Sequence, residues 1–134
     1  AELAASHNAQ SPEGKRSQDD EATRGVDLPR IAAVLAVYPV VDAAGGATRS
    51  RLRFLDWFPL SHRIMTWFTL HYAPAMHQQN DWRLQLLQAG RERLARMPPA
   101  TIVLAREDPL FDEGAELART LREAGAKVEC EVFE

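Results

Sequence analysis

Cysteine is nearly absent from this sequence. Cys130 is the only one among 134 residues, which excludes an intramolecular disulfide and any zinc site built from several cysteines. No uninterrupted apolar run reaches the roughly 18 residues of a membrane-spanning helix, so no segment reads as a span. Lysine is also scarce: 14 of the 16 basic residues are arginine, set against 19 acidic residues for a net charge of −3. The arginines are scattered, with no basic stripe interleaved with aromatics, so nucleic acid is not an expected partner. Three catalytic signatures are missing as well. No His-x-x-x-His or His-x-x-Glu-His spacing exists among His7, His62, His71 and His77, which leaves zinc-hydrolase chemistry without support. The AAGGAT stretch lacks the pattern of a phosphate-binding loop, and neither metal nor cofactor is expected. Ser6, Ser11, Ser17, Ser50 and Ser61 all lie outside any Gly-x-Ser-x-Gly elbow, so no serine reads as a nucleophile.

What is present is the pattern of an α/β protein of one domain at most. The first residue is Ala1, inside an alanine-rich, helix-like stretch, and the last, Glu134, ends a strand-like run; natural domains more often end in loose polar tails, and the chain is expected to be cut at both ends. Residues 10–27 hold almost no large apolar side chain and read as an exposed charged loop. IAAVLAVYPVV, residues 31–41, is apolar without alternation, as strands of parallel sheets buried on both faces are. TIVLA, residues 101–105, has the same character, whereas KVECEVF, residues 127–133, alternates between Val128, Cys130, Val132 and the charged Lys127, Glu129, Glu131, the mark of a strand with one wetter face. Between these last two lies an amphipathic helix near 110–124, with Leu110, Leu117, Ala118, Leu121 and Ala124 on one stripe and Gly125 at its C-cap. Strand, helix and strand at this spacing predict a parallel βαβ unit.

Residues 43–97 are less regular. Helices are predicted over 61–73, with Ser61 as N-cap and Ile64, Trp67, Phe68 and His71 on one face, and over 83–96. All three tryptophans lie here, and composition by itself favours subdomain core over an apolar ligand pocket. His71 reads as a hydrogen-bonded core or cap residue. The one residue that reads as a catalytic acid is Asp108, in AREDPLFDEG just past a buried parallel strand, where open α/β sheets place functional loops. Spacing alone leaves a second role equally open, that of capping the next helix with Pro109 at its first position. The nearby Asp112 and Glu113 are explained by the helix dipole.

Several segments taken together resemble the hormone-sensitive-lipase-like family of α/β-hydrolases, serine carboxylesterases with a lid over a mostly parallel sheet. They are YPVVD (38–42), HYAP (71–74), DWR (81–83), MPPATIVLA (97–105), DPLFDEG (108–114) and LREAGAKVECEVFE (121–134), in that order. LQL at 84–86 stands where the family usually has Ser-Pro-Leu, and the 10–27 segment is longer than the family leads one to expect. The resemblance implies that the chain is part of an α/β-hydrolase fold, with 43–97 as lid and pocket wall and 98–134 as acid loop, helix and last strand. It implies that Asp108 is the acid of a Ser-Asp-His triad, with the nucleophile just before Ala1 and the histidine just after Glu134. It shifts Trp67, Phe68 and Tyr72 toward lining a substrate pocket. The expected activity is carboxylic ester hydrolysis, with a small-molecule ester and a second copy of the chain as partners and the cytoplasm as compartment. The alternatives are a non-catalytic ligand-binding member of the same fold and an inactive truncated product.

Overall fold

The structure, a computed structural model, describes residues 29–43, 45–74 and 81–134. The expectations for the alanine-rich start, the 10–27 loop, His7 and His77 fall outside the described residues. All elements below belong to the unit Ile31–Glu134. In chain order they are β1 (Val34–Val37), α1 (Arg49–Arg53), α2 (His62–Tyr72), a 3₁₀ turn (Leu86–Gln88), α3 (Arg91–Ala95), β2 (Ala100–Ala105), α4 (Phe111–Ala124) and β3 (Val128–Phe133).

The three strands form a parallel sheet in the order β1-β2-β3. β1 pairs from Val34↔Ala100 to Val37↔Val103, and β2 pairs with β3 from Ala100↔Val128 to Ala105↔Phe133. β2, α4 and β3 are the expected βαβ unit. β1 is shorter than the apolar run that contains it, for a local reason. Tyr38 takes a left-handed φ of 48° and Pro39 follows it; a proline has no N–H to continue the ladder. Val41, beyond this break, turns back into the core.

One face of the sheet packs on α4. Ile102 and Leu104 of β2 meet Leu117, Ala118 and Leu121 of the helix, and Val41, Ala89 and Leu94 close the cluster. The stripe read from the sequence is therefore the stripe that is buried. Gly114 lets the helix lie close against the sheet: a Cβ there would run into Leu104 Cδ2. Gly125 ends α4 in the left-handed conformation, with φ 97°, as glycine alone adopts without cost. β3 alternates over its first part, with Val128 and Cys130 half-buried and Glu129 and Glu131 exposed, whereas Val132, expected on the buried side, is exposed.

The middle of the chain departs from the sequence reading. The helix expected over 83–96 is two short pieces, because Gln85 bridges to Asp42, the Leu86 N–H is taken by the Val41 carbonyl, and Gly90 adopts φ 81°. α1 was not anticipated; Thr48 caps it through the Arg51 N–H. α2 starts at the expected cap, Ser61, whose hydroxyl accepts the Ile64 N–H. Its buried side is Met65 with half-buried Ile64 and Thr69, followed by Ala73; of the expected face, Trp67, Phe68 and His71 are exposed. Trp67, Phe68 and Tyr72 are 54%, 55% and 84% exposed, so the core role that composition favoured for these aromatics does not hold among the described residues. His71 is likewise not a core residue. It is exposed, bonds through Nδ1 to the Trp67 carbonyl one turn back, and lies against the Trp67 ring.

Candidate active site

Asp108 stands three residues beyond the end of β2, at the carboxyl edge of the sheet. The same edge holds Tyr38, whose N–H donates to the Val103 carbonyl, and Glu134, whose carboxylate accepts from Arg106 Nε at 3.0 Å. Tyr38 is a non-glycine residue in the left-handed region, a conformation that costs about 1–3 kcal/mol and gathers at functional sites.

The Asp108 carboxylate has a defined local partner: Oδ1 accepts the Leu110 N–H at 2.6 Å, and the Asp108 carbonyl accepts the Phe111 N–H. The acid thus caps the turn that enters α4. Helix proper begins at Phe111, so Pro109 does not occupy its first position as expected. Among the described residues no hydrogen bond reaches Oδ2. Asp108 is half-buried and, with Trp57, Phe58, Pro59, Leu60, Glu107 and Pro109, borders a cavity of about 440 Å³.

A buried polar cluster fixes this loop from behind. The Ser50 hydroxyl donates to the Pro109 carbonyl at 2.8 Å and accepts the Asp112 N–H at 3.2 Å, while the Asp112 carboxylate accepts the Ser50 N–H at 2.8 Å. The N-termini of α1 and α4 therefore face each other and exchange caps. Two positive helix ends in proximity repel, and the Asp112 carboxylate, bonded to the Ser50 N–H, lies between them. Glu113 is 1% exposed; it accepts from Arg51 Nε at 2.6 Å and from the Val41 N–H at 3.0 Å. Burial pushes its pKa up, against the opposing pull of the Val41 N–H and the Arg51 guanidinium. Arg51 also donates to the Asp42 carbonyl. No group of acidic, histidine or cysteine side chains that could hold a metal exists among the described residues.

Of the expected pocket residues, Phe68 and Tyr72 border a cavity of about 730 Å³ with Val40, Ala43 and Leu84. Trp67 borders neither that cavity nor the one beside Asp108. The aromatics that do stand next to Asp108 are Trp57 and Phe58. Neither is among the residues expected from the sequence to line the pocket. Ser50, Arg51 and Glu113 were missed as a unit, since 62 residues separate Arg51 from Glu113 and no motif links them.

A model of the alpha/beta hydrolase fold matches residues 10–134. The chain belongs to the α/β-hydrolase fold family. Its relatives in this family are ester hydrolases, in keeping with the resemblance read from the sequence. It is 31% identical to an ethyl acetate hydrolase of Pseudomonas putida over 112 residues, which is 84% of this chain and 34% of that protein. It is 38% identical to the carboxylic ester hydrolase LipN of Mycobacterium tuberculosis over 94 residues, 69% of this chain and 24% of the relative. A solved thermostable esterase from Pseudomonas putida ECU1011 superposes with a TM-score of 0.72 at 32% identity, covering 79% of this chain and 33% of its own. The chain thus spans about a quarter to a third of the length of these α/β-hydrolases. No helix among the described residues is long and apolar enough to cross a membrane.

Proposed function

We propose that the chain supplies the acid of a Ser-Asp-His triad in a serine carboxylesterase, and that Asp108 is that acid. The observation that carries the reading is the placement of Asp108: at the carboxyl edge of a parallel sheet, beside an aromatic-walled cavity, with Oδ1 tied to Leu110 and Oδ2 turned to no partner among the described residues. A triad aspartate needs one oxygen held and the other offered to a histidine Nδ1–H. The nucleophile and the histidine belong to residues outside these 134, in the order Ser, Asp, His. The serine attacks an ester carbonyl as the histidine takes its proton, and Asp108 stabilises the imidazolium. The alcohol leaves with that proton, and water releases the acid from the acyl-enzyme by the same route. Trp57 and Phe58 line the approach to the acid, and Phe68 and Tyr72 line the acyl or lid side. The substrate class is a small ester of a short or medium acyl group, and the chemistry asks for neither metal nor cofactor. The reducing cytoplasm suits the single cysteine.

The test is Asp108→Asn in the complete enzyme. Asparagine keeps an oxygen for the Leu110 N–H, so the melting temperature is expected to hold while kcat on a p-nitrophenyl ester falls by about 10⁴-fold. A loss below about tenfold sinks the triad assignment. A native protein that binds esters without turnover supports the ligand-binding alternative instead.

A further inference from the structure

We infer that the Ser50 hydroxyl is a positioning group for Asp108, acting through the single peptide unit that joins Pro109 to Leu110. The inference rests on the triad reading above. That peptide is held at both ends: its carbonyl accepts from Ser50 Oγ at 2.8 Å and its N–H donates to Asp108 Oδ1 at 2.6 Å. A peptide unit is planar and resists twisting, so fixing the direction of its C=O fixes the direction of its N–H. The N–H in turn fixes where Oδ1 lies, and with it the direction in which Oδ2 is offered. A hydrogen bond to the carbonyl also polarises the unit and makes the N–H a stronger donor.

Ser50 is suited to this role because it is itself immobilised. It is 7% exposed, its N–H is bonded to the Asp112 carboxylate, and its hydroxyl accepts from the Asp112 N–H. The next residue, Arg51, is locked to Glu113 and to the Asp42 carbonyl. The short helix α1 is therefore a rigid post, and the Ser50–Pro109 bond ties it to the peptide just past Asp108. A serine 58 positions before the acid is assigned to the reaction without touching substrate.

The experiment compares Ser50→Ala, Asp108→Asn and the double variant in the complete enzyme, with kcat expressed per folded molecule by circular dichroism. Ser50→Ala is expected to lower kcat by about 10- to 100-fold, the range for misplacing a catalytic group by a fraction of an ångström, with KM within about twofold. The acidic limb of kcat/KM is expected to move to lower pH, because a misaligned carboxylate stabilises the imidazolium less. In the Asp108→Asn background the same change is expected to cost less than about twofold, since a group acting through Asp108 has nothing left to act on. A merely structural role moves the melting temperature and none of these. Unchanged kcat in folded Ser50→Ala, or an equal loss in both backgrounds, overturns the inference while an inactive Asp108→Asn leaves the triad standing. An active Asp108→Asn removes the triad reading itself and this inference with it. If Ser50→Ala does not fold, Ser50→Cys, close in size and a weak donor, carries the same comparison.

Discussion

Glu113 is an ionisable side chain with 1% exposure, bonded to Arg51 on one oxygen and to the Val41 amide on the other. Placing both charges in the core has a desolvation cost that their attraction roughly offsets, so the pair is a weak source of net stability. Its effect is on geometry: α1 is pinned against the start of α4. Burial holds the Glu113 carboxyl above its ordinary value of 4.5, which has a testable consequence. Below 4.5 the carboxyl is protonated in folded and unfolded chain alike, and its contribution to stability is fully present. Above it the unfolded chain ionises first, so the folded state binds more protons and stability falls as pH rises through the folded value. Glu113→Gln cannot titrate. The advantage of the native protein over this variant, read from urea melts, is expected to be largest near pH 4 and to shrink over the pH interval above the ordinary value of 4.5. An advantage that grows over that interval makes the Arg51 pairing the stronger influence and overturns the direction. At this scale Asp108 was legible because its surroundings in sequence, a Pro-Pro-strand before and a helix after, are local. The Ser50, Arg51 and Glu113 cluster was not, because its members are joined only by the fold.

α4 was the most legible element, since its apolar stripe, its charged outer side and its capping glycine all lie within one short stretch. Arg119, flanked by Glu116 and Glu123 on the exposed side, matches the expected solvent face. What the pattern did not reveal is the work done by Gly114. Replacing a helical glycine with alanine ordinarily gains up to about 1 kcal/mol. Here the added Cβ runs into the Leu104 side chain, which is 1% exposed and packed within the core cluster. Overpacking of this kind costs about 1–3 kcal/mol, so the steric penalty outweighs the propensity gain. Gly114→Ala is expected to lower the urea midpoint; a raised midpoint shows that the sheet yields at Leu104. The middle helices were read poorly for the complementary reason. The 83–96 pattern has helical periodicity, but a bridge to Asp42 and the positive φ of Gly90 break it, and both depend on tertiary placement.

On the scale of the molecule, α4 covers one face of the sheet, and the opposite face carries Leu35, Val37 and Phe133, exposed by 68%, 52% and 55%. The outer edge of β1 has no partner among the described residues. An unpaired edge beside exposed apolar side chains is a site for association with other chains. The 134-residue chain produced by itself is accordingly expected to associate, and to hydrolyse p-nitrophenyl acetate no faster than buffer, since it contains no Gly-x-Ser-x-Gly elbow. Light scattering coupled to gel filtration checks the first expectation and a spectrophotometric assay the second. A monodisperse 15.0 kDa species with a cooperative melt counts against the first.

The sequence by itself determined the α/β class, the parallel βαβ unit, the buried stripe of α4 and the position of Asp108, because each is written in contiguous residues whose period or neighbours carry the information. Tertiary structure alone decided which aromatics stand beside Asp108, and that Ser50 holds the peptide next to it. Those outcomes depend on groups some 50 to 60 residues apart meeting at the N-termini of α1 and α4, and no local pattern encodes such a meeting.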